Sequence, residues 1–222
     1  MSNTIFLSYQ LNDKAFGYAN GNRFNLKKVR SICCGDTSNN SSFEMPTHFG
    51  THIDYPYHFD EKGKNSSDYL AQDFVFSKIA CISIEETIID DYLIKNNHLN
   101  LSKIPSETEL LFIKTGFCYK RLLPEYWEFG YGFHPETAAF LKQKLPNLKA
   151  VAFDLISLNS YQHRELGRIA HKEFLSTQNI LIIEEVNLQE ITEKTIFNEV
   201  IIAPLLLEKA DGAPVTIIAK IQ

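Results

Sequence analysis

The sequence predicts a mixed α/β fold, a sheet carrying few helices, within one domain. Three observations lead there. Short apolar runs rich in β-branched residues outnumber helical patterns, strands and helices do not alternate regularly, and 222 residues fit one core. A chain of this length buries about 70% of the surface that its unfolded form exposes.

The start, MSNTIFLSYQLND, has no positively charged leader and no long apolar core, so no signal peptide is expected. Gly35–Ser42 (GDTSNNSS) and Asp60–Asp68 (DEKGKNSSD) read as polar loops. Phe74–Ile84, Leu110–Thr115, Ala150–Leu158, Ile180–Ile183 and Val200–Leu207 read as buried strands. Val215–Ile221 closes the chain as another, after the turn signal Asp211-Gly212-Ala213-Pro214. His134-Pro135-Glu136 opens a helix with proline at its first position; it continues over Thr137–Lys144 and ends by Leu145-Pro146. A second helix covers Gly167–Ser176, where Ile169, Phe174 and Leu175 share a face. Asp91–Lys95 and Leu188–Thr195 are marginal helical patterns.

Composition narrows the function. A hydrophobic content of 44% and a charged content of 22% are ordinary for a globular chain. The formal charge of −5 offers no basic footprint for nucleic acid or an anionic membrane. No run approaches the ~18 apolar residues of a membrane span, so a cytoplasmic protein is expected. Cys33, Cys34, Cys81 and Cys118 lack C-x-x-C spacing and read as core thiols, leaving any metal to nitrogen and oxygen donors.

Such donors crowd into HFGTHIDYPYHFD, His48 to Asp60, which holds three of the seven histidines. A straight strand would put His48 and Asp54 ~20 Å apart. A helix would stack His48 on His52 but turn Asp54 away, and Pro56 obstructs it. The segment must therefore bend, and Gly50, with no side chain and free dihedrals, is the place. Two imidazoles and a carboxylate then make a borderline set for Zn²⁺, with Mn²⁺ or Fe²⁺ as alternatives. A surface loop of solvated histidines is the competing reading.

The pattern H-x-G-T-H-x-D-x-P-x-H-F, complete from His48 to Phe59, resembles the signature of the metal-dependent cyclase-type hydrolases, the family of bacterial kynurenine formamidase. Leu111–Gly116, His134–Ala139, Val151–Ser157 and Ala203–Val215 are similar to further elements of that family. The resemblance implies a swivelling β/β/α domain with a barrel-like mixed sheet, assembled as a homodimer or homotetramer. It also implies a binuclear site. His48, His52 and Asp54 would hold one ion; Asp54 and Glu184 would bridge to a second, completed by His171. Glu185 is the rival to Glu184, because the loop Ser176–Asn179 is one residue longer than the family's. His58 would stay unligated and move protons, a task suited to imidazole.

The implied activity is hydrolysis of an amide, formamide or cyclic amide/ester bond in a small molecule, using one or two Zn²⁺ ions or Mn²⁺. A metal-binding module without hydrolysis and a metal-assisted cyclase or dehydratase are the alternatives. Departures from the family bear on the pocket: Phe6-Leu7-Ser8 lacks the family's acid, Leu158-Asn159-Ser160-Tyr161 replaces Val-Asp-(His)-Pro, and Thr216 replaces an arginine. Of the remaining candidates, His98 reads as solvated, His134 as a helix-start residue and His163 as a surface group. Asp154 reads as structural or supporting, and Tyr55, Tyr57, Phe59 and Trp127 as core. Phe117 and Trp127 occupy a region that lines the pocket in relatives.

Overall fold

The central strands of the fold are buried on both faces, and that is why they read as unbroken apolar runs rather than alternating ones. The computed structural model describes residues 3–21 and 23–222. In chain order the strands are β1 (Asn3–Phe6), β2 (Asn25–Arg30), β3 (Asn40–Glu44), β4 (His52–Asp54), β5 (Val75–Phe76), β6 (Ile79–Ser83) and β7 (Leu93–Ile94). They continue with β8 (Leu110–Lys114), β9 (Gly132–Phe133), β10 (Ala150–Phe153), β11 (Leu181–Glu184), β12 (Phe197–Pro204) and β13 (Gly212–Ile221). The helices are α1 (Glu125–Glu128), α2 (Glu136–Lys144) and α3 (Arg164–Lys172).

A nine-stranded mixed sheet runs β5-β12-β13-β4-β11-β10-β8-β6, with β1 added on β13. Strands β6, β8, β10 and β11 are parallel neighbours, whereas β4 is antiparallel to both β11 and β13. The sheet curls until β12 packs against β6, giving a nearly closed, barrel-like form. Alternation divides the core. Leu111, Ile113, Val151, Phe153 and Ile182 face Ala138 and Leu141 of α2 and Ala170 of α3. Leu110, Phe112, Ala150, Ala152 and Ile183 face inward, against Val200, Ile202, Ile217 and Ala219. Each fully buried large side chain contributes about 1.5–3 kcal/mol, so these layers fix the register of the parallel strands. No helix of the described residues is long and apolar enough to cross a membrane.

The mixed sheet and the two main helices agree with the sequence reading; several boundaries do not. The Phe74–Ile84 run is two strands, because β5 pairs with β12 and β6 with β8. The Ala150–Leu158 run stops at Phe153, where the Asp154 carboxylate accepts N–H bonds from Thr115, Gly116 and Cys118. The supposed turn at Asp211–Pro214 is largely strand: Gly212, Ala213 and Pro214 stand opposite Asp54, Ile53 and His52. Pro214 is tolerated because the neighbouring Val215 N–H donates to Thr51 O (2.9 Å). The Gly35–Ser42 loop gives way at Asn40 to β3, which forms an exposed hairpin with β2. Neither marginal helix forms. Asp91 and Tyr92 have φ of 52° and 55° and lead into β7, and residues 188–195 are irregular.

Three burial expectations also fail. Cys33 and Cys34 are exposed on the hairpin, while Cys81 and Cys118 are core. Tyr57 is exposed. His98 is buried rather than solvated, because its Nδ1 accepts the Lys95 N–H (3.1 Å) and closes a turn.

Candidate active site

Register across β4 assembles the site. Glu184 stands opposite His52 in the antiparallel β4–β11 pair, so the two side chains share a face and Glu184 Oε2 lies 3.3 Å from His52 Nε2. Asp54, two residues on, points the same way, with Oδ1 3.4 Å from His52 Nε2. Before the strand, Gly50 takes φ +66°, and a side chain there would strike Leu11. That bend returns His48 to Asp54, with Nδ1 2.8 Å from Oδ1. Gly212, opposite Asp54 on β13, leaves room for the His48 ring, since a Cβ there would lie 2.4 Å from His48 Cε1.

From the other side α3 supplies His171 in its last turn. Its Nδ1 donates to Gly167 O (2.7 Å), which turns Nε2 toward Asp54 Oδ2 and Glu184 Oε1, both at 3.6 Å. His52 is fixed in the same manner, with Nδ1 donating to Gly50 O (2.8 Å). Its Nε2 is buried between the two carboxylates, without a hydrogen-bond partner among the described residues. Imidazoles whose other nitrogen is anchored on a backbone carbonyl are the usual form of metal-binding histidine. Ligand atoms of His52, Asp54 and Glu184 lie within 4.8 Å of one another, as do those of His48, Asp54 and His58. The donor set therefore fits a divalent cation: two buried carboxylates and bare imidazole nitrogens converge, and buried charge of one sign needs its opposite.

The field points the same way. Burial opposes a charge on His52, but the adjoining Asp54 and Glu184 carboxylates outweigh it and lift its pKa well above the ordinary value. His171 is raised likewise against burial, chiefly by Glu184. Burial also works against His48, yet Asp54 and Asp211 raise it to about 9. Asp54 stays well below the carboxylate range, because His48 and His52 overcome its burial.

His58 stands in a one-turn helix after Pro56, stacked on His48 at 3.9 Å between ring centres. Its Nδ1 meets Asp211 Oδ2 at 3.0 Å, and His48 Nε2 meets the same oxygen at 2.9 Å. Asp211 is the residue that the sequence reading missed. In the sequence it reads as part of a turn signal, and only the pairing of β13 with β4 carries it to the histidines. Phe59 packs against both His58 and His171, at 4.4 Å from each ring. A cavity of ≈ 240 Å³ opens onto this group, walled by Tyr18, Phe59, Ile156, Ser157 and Asn159. Phe117 and Trp127 are absent from its walls; Phe117 packs in the core.

The structure also separates the two glutamates. Glu184 enters the cluster and accepts from Leu158 N (2.6 Å) and Ser157 Oγ (3.3 Å). Glu185 turns away to Arg121 Nε (3.1 Å). Asp154 is clear of the cluster and braces the loop after β8, also accepting from Thr115 Oγ1 (2.8 Å). His163 is half-buried rather than a free surface group, with Nε2 3.1 Å from Asp91 Oδ1, and His134 at the start of α2 accepts the Glu136 N–H.

The family model described as putative cyclase matches residues 5–160. A kynurenine formamidase of Bacillus mycoides is 30% identical over 215 residues, covering 96% of this chain and 95% of that one. One of Bacillus cereus is 32% identical over 172 residues, covering 77% of this chain and 75% of the relative. Among solved structures, isatin hydrolase A from Labrenzia aggregata superposes with a TM-score of 0.81 at 18% identity, covering 99% of this chain and 93% of that one. A structure described as a predicted metal-dependent hydrolase from Bacillus stearothermophilus gives 0.74 at 19% identity, covering 99% and 98%. At such identities these two likenesses concern the fold.

Proposed function

The chain belongs to the putative cyclase family, and from that premise we propose that it is a metal-dependent hydrolase of carbon–nitrogen amide bonds, acting on a small arylformamide or cyclic amide. The observation that carries the reading is the bare, buried Nε2 of His52 between two carboxylates, beside a second imidazole held by its own acid. His48, His52, Asp54, Glu184 and His171 would hold one or two Zn²⁺ ions, or Mn²⁺. A cation there supplies Lewis acidity, lowering the pKa of water and offsetting charge on a carbonyl oxygen.

The rest is done by the chain. Asp211 accepts the Nδ1 proton of His58, leaving Nε2 to take a proton from water and return it to the departing nitrogen. Ser157 and the Leu158 N–H hold Glu184, so that carboxylate keeps its direction. Phe59 packs on both histidine rings and offers an aromatic face to an aryl substrate. The relatives named kynurenine formamidase support a formamide substrate, and a cavity of ≈ 240 Å³ is of a size for one ring with its formyl or lactam group.

The test combines metal analysis with a substrate panel of formanilides, lactams and lactones, assayed with Zn²⁺ and with Mn²⁺. His58→Ala is expected to keep its metal and lose about 10²- to 10⁴-fold in turnover. His48→Ala and Asp54→Ala are expected to lose metal. Equal metal content and undiminished activity in all three variants would overturn the assignment. A metal-loaded wild type inert on the whole panel would favour a non-hydrolytic module.

A further inference from the structure

A buried ion pair lies directly behind the cluster and is unused by the chemistry above. Glu185 follows Glu184 and takes φ +52°, the left-handed region that a glutamate rarely occupies. That turn sends two successive carboxylates in opposite directions, Glu184 into the cluster and Glu185 to Arg121. Both members of the pair are buried, at 2% and 6% exposure. The guanidinium also lies over the Tyr9 ring, 4.1 Å from its centre, and its Nη2 has no hydrogen-bond partner among the described residues.

The contacts close into a ring. Tyr9 N–H donates to Thr51 Oγ1 (3.1 Å), and the Thr51 hydroxyl donates to Glu185 O (2.6 Å). Glu185 then reaches Arg121, and Arg121 covers Tyr9. Thr51 is the residue before His52, and Glu185 is the residue after Glu184. The ring therefore clamps the chain neighbours of two facing donors, on strands that meet at that very pair.

Resting on the proposed metal-binding reading, we infer that Arg121 is a positioning residue: through Glu185 it holds the left-handed turn that keeps the Glu184 carboxylate facing His52. The hydrogen bonds from Ser157 and Leu158 hold the carboxylate from the front, and the backbone turn behind it sets the direction from which it leaves the strand end. Outer partners of this kind set metal affinity rather than merely stability.

The experiment measures Zn²⁺ and Mn²⁺ affinity by chelator competition, alongside the unfolding midpoint of the metal-free protein. Arg121→Met leaves a buried carboxylate unpaired and can fail to fold. The decisive variant is therefore Arg121→Met/Glu185→Leu, which removes both charges together. It is expected to keep a midpoint near the wild type but to bind metal about 10- to 100-fold more weakly. Glu185→Gln, which still accepts from Arg121 Nε, is expected to recover most of that affinity. A folded double variant with wild-type affinity would overturn the inference and leave the hydrolase reading intact. Wild-type protein without measurable affinity for either cation would overturn both.

Discussion

Asp211→Asn isolates the orientation of His58 from the remainder of the site. One oxygen, Oδ2, serves His58 Nδ1 at 3.0 Å and His48 Nε2 at 2.9 Å. The amide has the same shape, so the β4–β13 pairing should persist. A hydrogen bond to a charged group contributes about 1.5–3 kcal/mol and a neutral one about 0.5–1.5. The variant thus forfeits about 1–1.5 kcal/mol at His58, or roughly 5- to 13-fold in kcat. The Asp211 side chain is 37% exposed, and solvent screening favours the lower end, about fivefold. An amide that turned its NH₂ toward His58 would impose the opposite tautomer and increase the loss.

The assay is formanilide hydrolysis at saturating Zn²⁺, with kcat expressed per bound metal because His48 shares the same oxygen. Asp211→Asn should lower kcat at least fivefold with little change in KM. In the His58→Ala background the same change should cost nothing further, because residues acting through one another are not additive. A loss of equal size in both backgrounds would refute the proposed dependence of Asp211 on His58.

Two further outcomes are expected. Gly212→Ala puts a Cβ 2.4 Å from His48 Cε1 and 2.9 Å from Ile53 O; the strand cannot retreat, so the ring must move by about 1 Å and leave hydrogen-bond range of Asp54 and Asp211. Metal content should fall while the sheet survives, and a crystal structure with His48 undisplaced would contradict this. His98 gives a pH effect. Burial lowers its pKa, Asp90 opposes and Lys95 adds to the lowering, so the folded state holds fewer protons there than the unfolded chain. Its contribution to stability is therefore constant above the unfolded histidine value, about 6.5, and falls as the solution is acidified below it. His98→Asn keeps an acceptor for Lys95 N–H without titrating. In EDTA, its urea midpoint should drop less than the wild type's between about pH 7.5 and about pH 5.5. Equal drops would exclude His98 as a source of the slope.

The parts of the site legible in the sequence are those fixed by local geometry. Gly50 had to bend the chain because neither strand nor helix could join His48 to Asp54, and it does so with φ +66°. Runs such as Leu110–Thr115 and Ile180–Ile183 are legible as strands because parallel strands covered on both faces have no polar side to show. Illegible were the features set by pairing between distant segments. The β2–β3 hairpin is exposed along its length, so no hydrophobic alternation marks it. Asp-Gly-Ala-Pro carries the ordinary chemistry of a turn, and only the presence of β4 beside it makes a strand of Gly212–Pro214. His98 looked solvated because its partner is a backbone N–H, which no side-chain pattern reveals.

The choice between Glu184 and Glu185 shows where the division falls. Both follow the same aliphatic run, and both are buried. Alternation alone gives opposite faces to the two, without saying which face holds the imidazoles. The answer comes from the antiparallel register that sets Glu184 against His52, and from a left-handed turn at Glu185 that a guanidinium 64 residues earlier helps to hold. Spacing can thus nominate a candidate ligand, but its direction is a property of the sheet. Substitutions that shift the β4–β11 register should consequently abolish metal binding even with every donor retained, since a slip of one residue moves a side chain to the other face.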